Sequence, residues 1–278
     1  MKQIVTVFLL GAMCLHASGQ NKTYPFEVKI SGQGKPSIIF IPGFASSGEV
    51  WNDTKAGYEK DHTCYTLTMA GFAGITAQPG ATFTNWETGI AGYIKENNIK
   101  NPVLIGHSMG GGLALAIAAD YPELVKTIIV VDALPCLPAL NNPAFKAADK
   151  PDCSAITGQI TAASDEQFSQ IQKMSIARLV TDTSKQILVA GWGLKSDRKT
   201  FAEMYCDFSN TDLREKIKNI TCPALILLEA DFKTIKPAIA DQYKNLKTAT
   251  LQYADKGQHF IMYDDKDWYL KQLNDFIN

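Results

Sequence analysis

The sequence predicts an α/β fold: a mostly parallel, doubly wound sheet with helices on both faces and a helical cap inserted over one edge. Three observations predict it. Short apolar runs alternate with helix-like segments along most of the chain. That alternation breaks between about residues 134 and 208, where helical patterns dominate. And the apolar run at 103–105 leads through Gly106-His107-Ser108-Met109-Gly110 directly into a helix-like stretch. The chain has 278 residues, 46% of them hydrophobic and 20% charged, enough for one domain with a large core.

The elements follow in order. Lys2, an apolar stretch at 4–13 too short to span a bilayer, and small residues at Ala17-Ser18-Gly19 read as a secretory leader over 1–19. Gln20 is then the expected first residue of an exported chain, with one domain over 20–278. Cys14 follows the bulky Met13, where a lipoprotein signal carries a small residue, so no lipid attachment is expected. Residues 27–31 alternate like an edge strand, and 37–41 form a continuous apolar run, as in a strand covered on both faces. A third strand is expected at 64–69. Residues 86–97 read as an amphipathic helix capped by Thr84 or Asn85. The strand at 102–105 precedes a helix at 109–120, stopped by Pro122, and 125–131 is the next strand. The cap region carries helical patterns at 165–180 and 198–207 and many aromatics, with 186–190 the nearest thing to a strand. Strands at 223–228 and 249–253 and a helix at 266–277 complete the chain.

Composition narrows the function. The formal net charge is -1 and no basic run occurs, which argues against nucleic acid or an anionic membrane as the main partner. Cys64, Cys136, Cys153, Cys206 and Cys222 remain after leader removal, an odd number. Cys64 and Cys222 lie in or beside strand patterns and read as core residues. Outside the cytoplasm one disulfide is permitted among Cys136, Cys153 and Cys206, with the pairing open. No C-x-x-C spacing occurs, and only His62, His107 and His259 follow the leader, so no zinc site or other metal is expected.

The G-x-S-x-G pentapeptide between a strand and a helix is the pattern of a nucleophile elbow, with Ser108 as candidate nucleophile. Gly106 and Gly110 leave room for the tight turn. A serine needs a base, and the base an orienting acid. His107 sits beside the serine, where its side chain is expected to diverge, and His62 lies near the amino end of a strand. His259, in the loop after 249–253, remains as the base. Asp231, shortly after the strand at 223–228, is the expected acid; Asp132, at the end of the strand at 125–131, is the alternative, and Glu229 also competes. An aspartate after a strand also serves as a helix cap or turn residue, a reading that suits Asp132. The oxyanion donors are expected to be the backbone N–H groups of Met109 and of Phe44, the latter in the loop Pro42-Gly43-Phe44.

Together Pro42-Gly43-Phe44 with Trp51, the pentapeptide, the strand 223–228 with Asp231, and Gly257-Gln258-His259-Phe260 resemble the α/β-hydrolase superfamily over nearly the whole chain after the leader. The order serine, acid, histidine is that family's own. The resemblance implies a capped serine hydrolase that acts on a small to medium carboxylic ester or related acyl compound and needs no cofactor. Carbon–carbon bond hydrolysis or perhydrolase and haloperoxidase chemistry on the same residues is the alternative it implies, and a non-catalytic ligand-binding protein a further one. Family members that use an aspartate nucleophile, the dehalogenases and epoxide hydrolases, are excluded by Ser108. Two features depart from the pattern: Ile41-Pro42-Gly43 stands where many members have His-Gly, and Ala70-Gly71-Phe72-Ala73-Gly74 lacks a common glycine-serine motif.

Overall fold

The computed structural model describes residues 23–277; the expected leader over 1–19 and its processing site before Gln20 lie outside them. The strands are β1 (Phe26–Ser31), β2 (Ile38–Ile41), β3 (Cys64–Met69), β4 (Val103–His107), β5 (Thr127–Val131), β6 (Ala224–Leu228) and β7 (Ala249–Tyr253). The helices are α1 (Asn52–Lys55), α2 (Phe83–Glu96), α3 (Met109–Asp120), α4 (Ser154–Ala162), α5 (Asp165–Ile176), α6 (Thr183–Leu194), α7 (Arg198–Ser209), α8 (Lys236–Tyr243), α9 (Ile261–Asp264) and α10 (Lys266–Ile277). The strands form one sheet in the order β1-β3-β2-β4-β5-β6-β7. Only β1 runs antiparallel, pairing with β3 from Phe26↔Met69 to Ser31↔Cys64.

β2, β4, β5 and β6 are buried along their whole lengths, which is why their sequences are apolar without alternation. Successive side chains divide between two cores. Ile39, Ile41, Leu104, Ile128 and Val130 face Trp86 and Ile90 of α2, Leu113 and Ile117 of α3, and Ile239 of α8. Ile38, Phe40, Ile105, Ile129 and Val131 face Trp51 and the α10 residues Tyr269 and Leu273. α3 is buried from Met109 to Ala119, so it needs no polar face.

α2 begins earlier than its sequence pattern suggests. Thr82 is its cap, its hydroxyl accepting the Asn85 N–H at 3.1 Å, in place of Thr84 or Asn85. The reason is Phe83, which is buried beside Gly112 of α3 and so belongs to the first turn.

Between β5 and β6 the chain leaves the sheet for α4 to α7. The strand-like run at 186–190 lies inside α6, whose start is fixed by Asp182 accepting the N–H groups of Ser184 and Lys185. Arg198 ties the helices together: it donates to the Ala163 carbonyl at 3.1 Å and the Asp165 carboxylate at 2.7 Å, and its guanidinium lies 3.9 Å from the Phe168 ring centre. A Cys153–Cys206 disulfide joins the start of α4 to α7. Cys64, Cys136 and Cys222 are buried and unpaired.

The register brings the site together. Ile41 pairs with Gly106, His107 with Val131, and Val131 with Leu227, so β2, β4, β5 and β6 end at one level. The loops that follow them emerge along a single carboxyl edge, where open α/β sheets bind ligands.

Candidate active site

Ser108 sits between β4 and α3 with φ 53° and ψ −123°, a conformation non-glycine residues rarely hold. Its surroundings require glycine. A β-carbon on Gly106 would lie 2.1 Å from the Gly110 carbonyl oxygen, and one on Gly110 would lie 2.3 Å from that of Ile41. The Ser108 N–H is held by the Val131 carbonyl at 2.9 Å, and its own carbonyl accepts from Gly112 at 3.0 Å. Although Ser108 stands at the helix cap position, its hydroxyl makes no cap hydrogen bond. It faces the cavity described below.

The loop after β2 passes beside it. A β-carbon on Gly43 would come within 3.2 Å of the Ser108 β-carbon and 2.9 Å of His107 Nδ1, which explains the glycine. The Gly43 and Phe44 carbonyls accept from the Ser46 N–H and hydroxyl, both at 3.2 Å. The Phe44 ring is wedged among Phe72, Phe201 and Tyr205, with centroids 5.2, 4.5 and 5.8 Å away. The Met109 N–H stands at the N-terminus of α3, where unpaired donors and the helix dipole favour negative charge.

His259 lies in the loop after β7. Its Nδ1 donates to Asp132 Oδ2 at 2.7 Å. A carboxylate only accepts, so this bond places the proton on Nδ1 and leaves Nε2 free as a base. The Asp132 side chain is 1% exposed, and its other oxygen accepts the Glu229 N–H at 2.7 Å.

Of the carboxylates weighed from sequence, the structure places Asp132 and not Asp231 against His259. Asp231 is exposed, in the 3-10 turn Ala230–Ile235, and among the described residues its carboxylate makes no contact with His259. Two features of the chain account for this. β5 neighbours β4, whereas β6 stands one strand further away, so a residue at the end of β5 is nearer the elbow. After β6 the Glu229 N–H is bonded to Asp132 and the chain turns outward. Glu229 thus contributes its backbone; burial, with Asp132 nearby, pushes its carboxyl up to about 7.

His107, expected to diverge from the serine, lies beside His259, with centroids 4.6 Å apart, and its Nε2 donates to the His259 carbonyl at 3.0 Å. Burial, and then the neighbouring His259, hold it well below the usual histidine range. A neutral His107 anchors the His259 backbone without placing a second positive charge beside a protonated His259. The cap grips the same loop: the Phe260 N–H donates to the Leu179 carbonyl, while Asp264 accepts from the Gln258 N–H and from Thr181.

Ser108, His259, Gly43 and Phe44 open onto a cavity of about 470 Å³, within the usual range for small-molecule sites. Ile160, Ile171, Gln172, Ile176 and Phe201 close it from the cap. Among the described residues no Asp, Glu, Lys or Arg lines it. Among the described residues no group of three or more His, Cys, Asp or Glu is placed to hold a metal ion, and no helix is long and apolar enough to cross a membrane.

Known proteins share this architecture. A family model of the alpha/beta hydrolase fold matches residues 36–266. Uncharacterized proteins of Mycobacterium bovis and Mycobacterium tuberculosis are 29% identical over 112 residues, 40% of this chain; the match spans only 32% of their own length. The pimeloyl-[acyl-carrier protein] methyl ester esterase of Vibrio atlanticus is 26% identical over 204 residues, covering 71% of this chain and 76% of that one. The solved enol-lactonase of Burkholderia xenovorans superposes with a TM-score of 0.75 at 16% identity, over 91% of this chain and 96% of that one, a likeness of fold.

Proposed function

From the premise that this chain belongs to the alpha/beta hydrolase family, and is a hydrolase, we propose that it is an exported serine hydrolase of small to medium carboxylic esters or related acyl compounds. The observation that carries the reading is the 2.7 Å bond from His259 Nδ1 to buried Asp132, in a cavity that also holds Ser108 on its elbow. Ser108 Oγ attacks the substrate carbonyl as His259 Nε2 takes its proton. The tetrahedral oxyanion is met by the N–H groups of Met109 and Phe44; each such donor is typically worth ~3 kcal/mol in the transition state. His259 returns the proton to the departing alcohol, leaving an acyl-enzyme. Water, deprotonated by His259, then attacks the acyl carbon and releases the acid and free Ser108. Asp132 holds the ring in the required tautomer and stabilises the imidazolium. The esterase name of the Vibrio relative supports ester chemistry. The leader-like residues 1–19 and the Cys153–Cys206 disulfide support export to an oxidising compartment.

A panel of p-nitrophenyl esters of increasing chain length tests the activity. Wild-type protein is expected to turn over short and medium esters, with kcat/KM lowered by about 10³-fold or more in Ser108→Ala at an unchanged melting temperature. No turnover of any member, or equal turnover by a folded Ser108→Ala, overturns the reading.

A further inference from the structure

Gln172 is the anomaly of the cavity. It sits on α5 in the cap and is 6% exposed; Gln159, Ser175 and Tyr205 also line that side but are exposed, so Gln172 is the buried polar side chain among Ile160, Ile171, Ile176 and Phe201. A buried glutamine amide offers two donors and an acceptor, and side chains of this kind find partners inside folded proteins. Gln172 makes no side-chain hydrogen bond among the described residues, and it lines the cavity. Room has also been left for it. A β-carbon on Gly193 of α6 would fall 2.3 Å from Gln172 Oε1, so any other residue there would displace the amide.

We propose that Gln172 is a specificity-determining residue that hydrogen-bonds a neutral amide carried by the substrate at a distance from the scissile ester. This deepens the ester-hydrolase reading above and rests on it. Three observations set the chemistry. Gln172 belongs to the cap wall while Ser108 belongs to the sheet side, so the two meet different parts of one bound molecule. The walls between are mostly apolar, with Gln159, Ser175 and Tyr205 the further polar side chains on the cap side, which suits a hydrocarbon spacer. No charged side chain lines the cavity, so a free carboxylate or an ammonium group would be desolvated without compensation, whereas an amide matches both the donor and the acceptor of Gln172. A site that hydrogen-bonds a substrate group discriminates strongly against analogues lacking it, because its own polar atoms are then left unpaired.

The test compares p-nitrophenyl esters of straight-chain acids with equal-length esters whose chains end in an acetamido group. At the best-fitting length the wild type is expected to favour the acetamido ester by about 10-fold or more in kcat/KM. Gln172→Leu, and the closer-shaped Gln172→Met, are expected to lose that preference, each read as a ratio in protein whose melting temperature matches the wild type. An absence of preference in the wild type at every length, or an unchanged ratio in either variant, overturns the assignment while leaving the hydrolase reading intact. Failure of the wild type to hydrolyse either series overturns both.

Discussion

At the scale of single residues, the question that decides the chemistry is which carboxylate holds His259. Asp132 and Asp231 are both aspartates at or shortly after the ends of core strands, and sequence alone ranks them by chain order and habit. Asp132 follows Val131 with no intervening residue, and its two oxygens are both used, one by His259 and one by the Glu229 N–H. Asp132→Asn is expected to lower kcat by ~10³–10⁴-fold, because an amide no longer enforces the Nδ1–H tautomer or stabilises the imidazolium. Asp231→Asn, at an exposed turn, is expected to stay within about 2-fold of wild type. Steady-state kinetics on one ester reads both. That Ser108 and His259 open onto one cavity was legible because a glycine-flanked serine and one suitably placed histidine are local patterns. Asp132 was legible only as an alternative, since strand adjacency is a property of the sheet. The His107 contact with the His259 loop and the burial of Gln172 against the cavity had no local signal, because both depend on elements far away in sequence.

At the scale of elements, the glycines separate into those the turn requires and those it does not. Gly110 packs its α-carbon against the β2 backbone, and Gly110→Ala is expected to cost at least about 2 kcal/mol and to misplace Ser108. Gly191, inside α6, has nothing within 4 Å of an added β-carbon. There the change to alanine is expected to stabilise by about 0.5–1 kcal/mol, through helix propensity alone. Urea unfolding of the two variants measures both signs. The strands were legible as continuous apolar runs because their two-sided burial leaves no alternation to interrupt. The start of α2 was not, because Phe83 is drawn into the helix by the core and not by its own propensity. The run at 186–190 looked strand-like because it combines Ile187, Leu188 and Val189, yet Asp182 caps a helix through it.

At the scale of the whole molecule, two carboxyls that burial pushes up to about 7, Glu87 and Glu229, are expected to make stability depend on pH. Glu87 of α2 is 4% exposed and lies against Asp120, itself bridged to Lys216 at 2.7 Å. Burial, and then the hydrogen bond with Asp120, push the Glu87 carboxyl up from 4.5 to about 7. The folded protein therefore holds a proton that the unfolded chain has already released, and stability is lost as pH rises from about 4.5 through about 7. Thermal melts are expected to show a fall of ~2–4 °C from Glu87 over that window, discounted for solvent screening, that Glu87→Gln removes while the part due to Glu229 remains. A pH-independent difference between the two proteins would contradict it. The level ends of β2, β4, β5 and β6 deliver the loop after β2, the elbow and Asp132 to one edge, and the cap grips the His259 loop above them.

The central claim is that Ser108, activated by His259 and Asp132, is the nucleophile. Reaction with an alkyl fluorophosphonate, read by peptide mass spectrometry, tests it most directly. One adduct per chain is expected, located on Ser108 and absent from Ser108→Ala. A wild-type protein that takes no label, or a label that persists in the alanine variant, would contradict it.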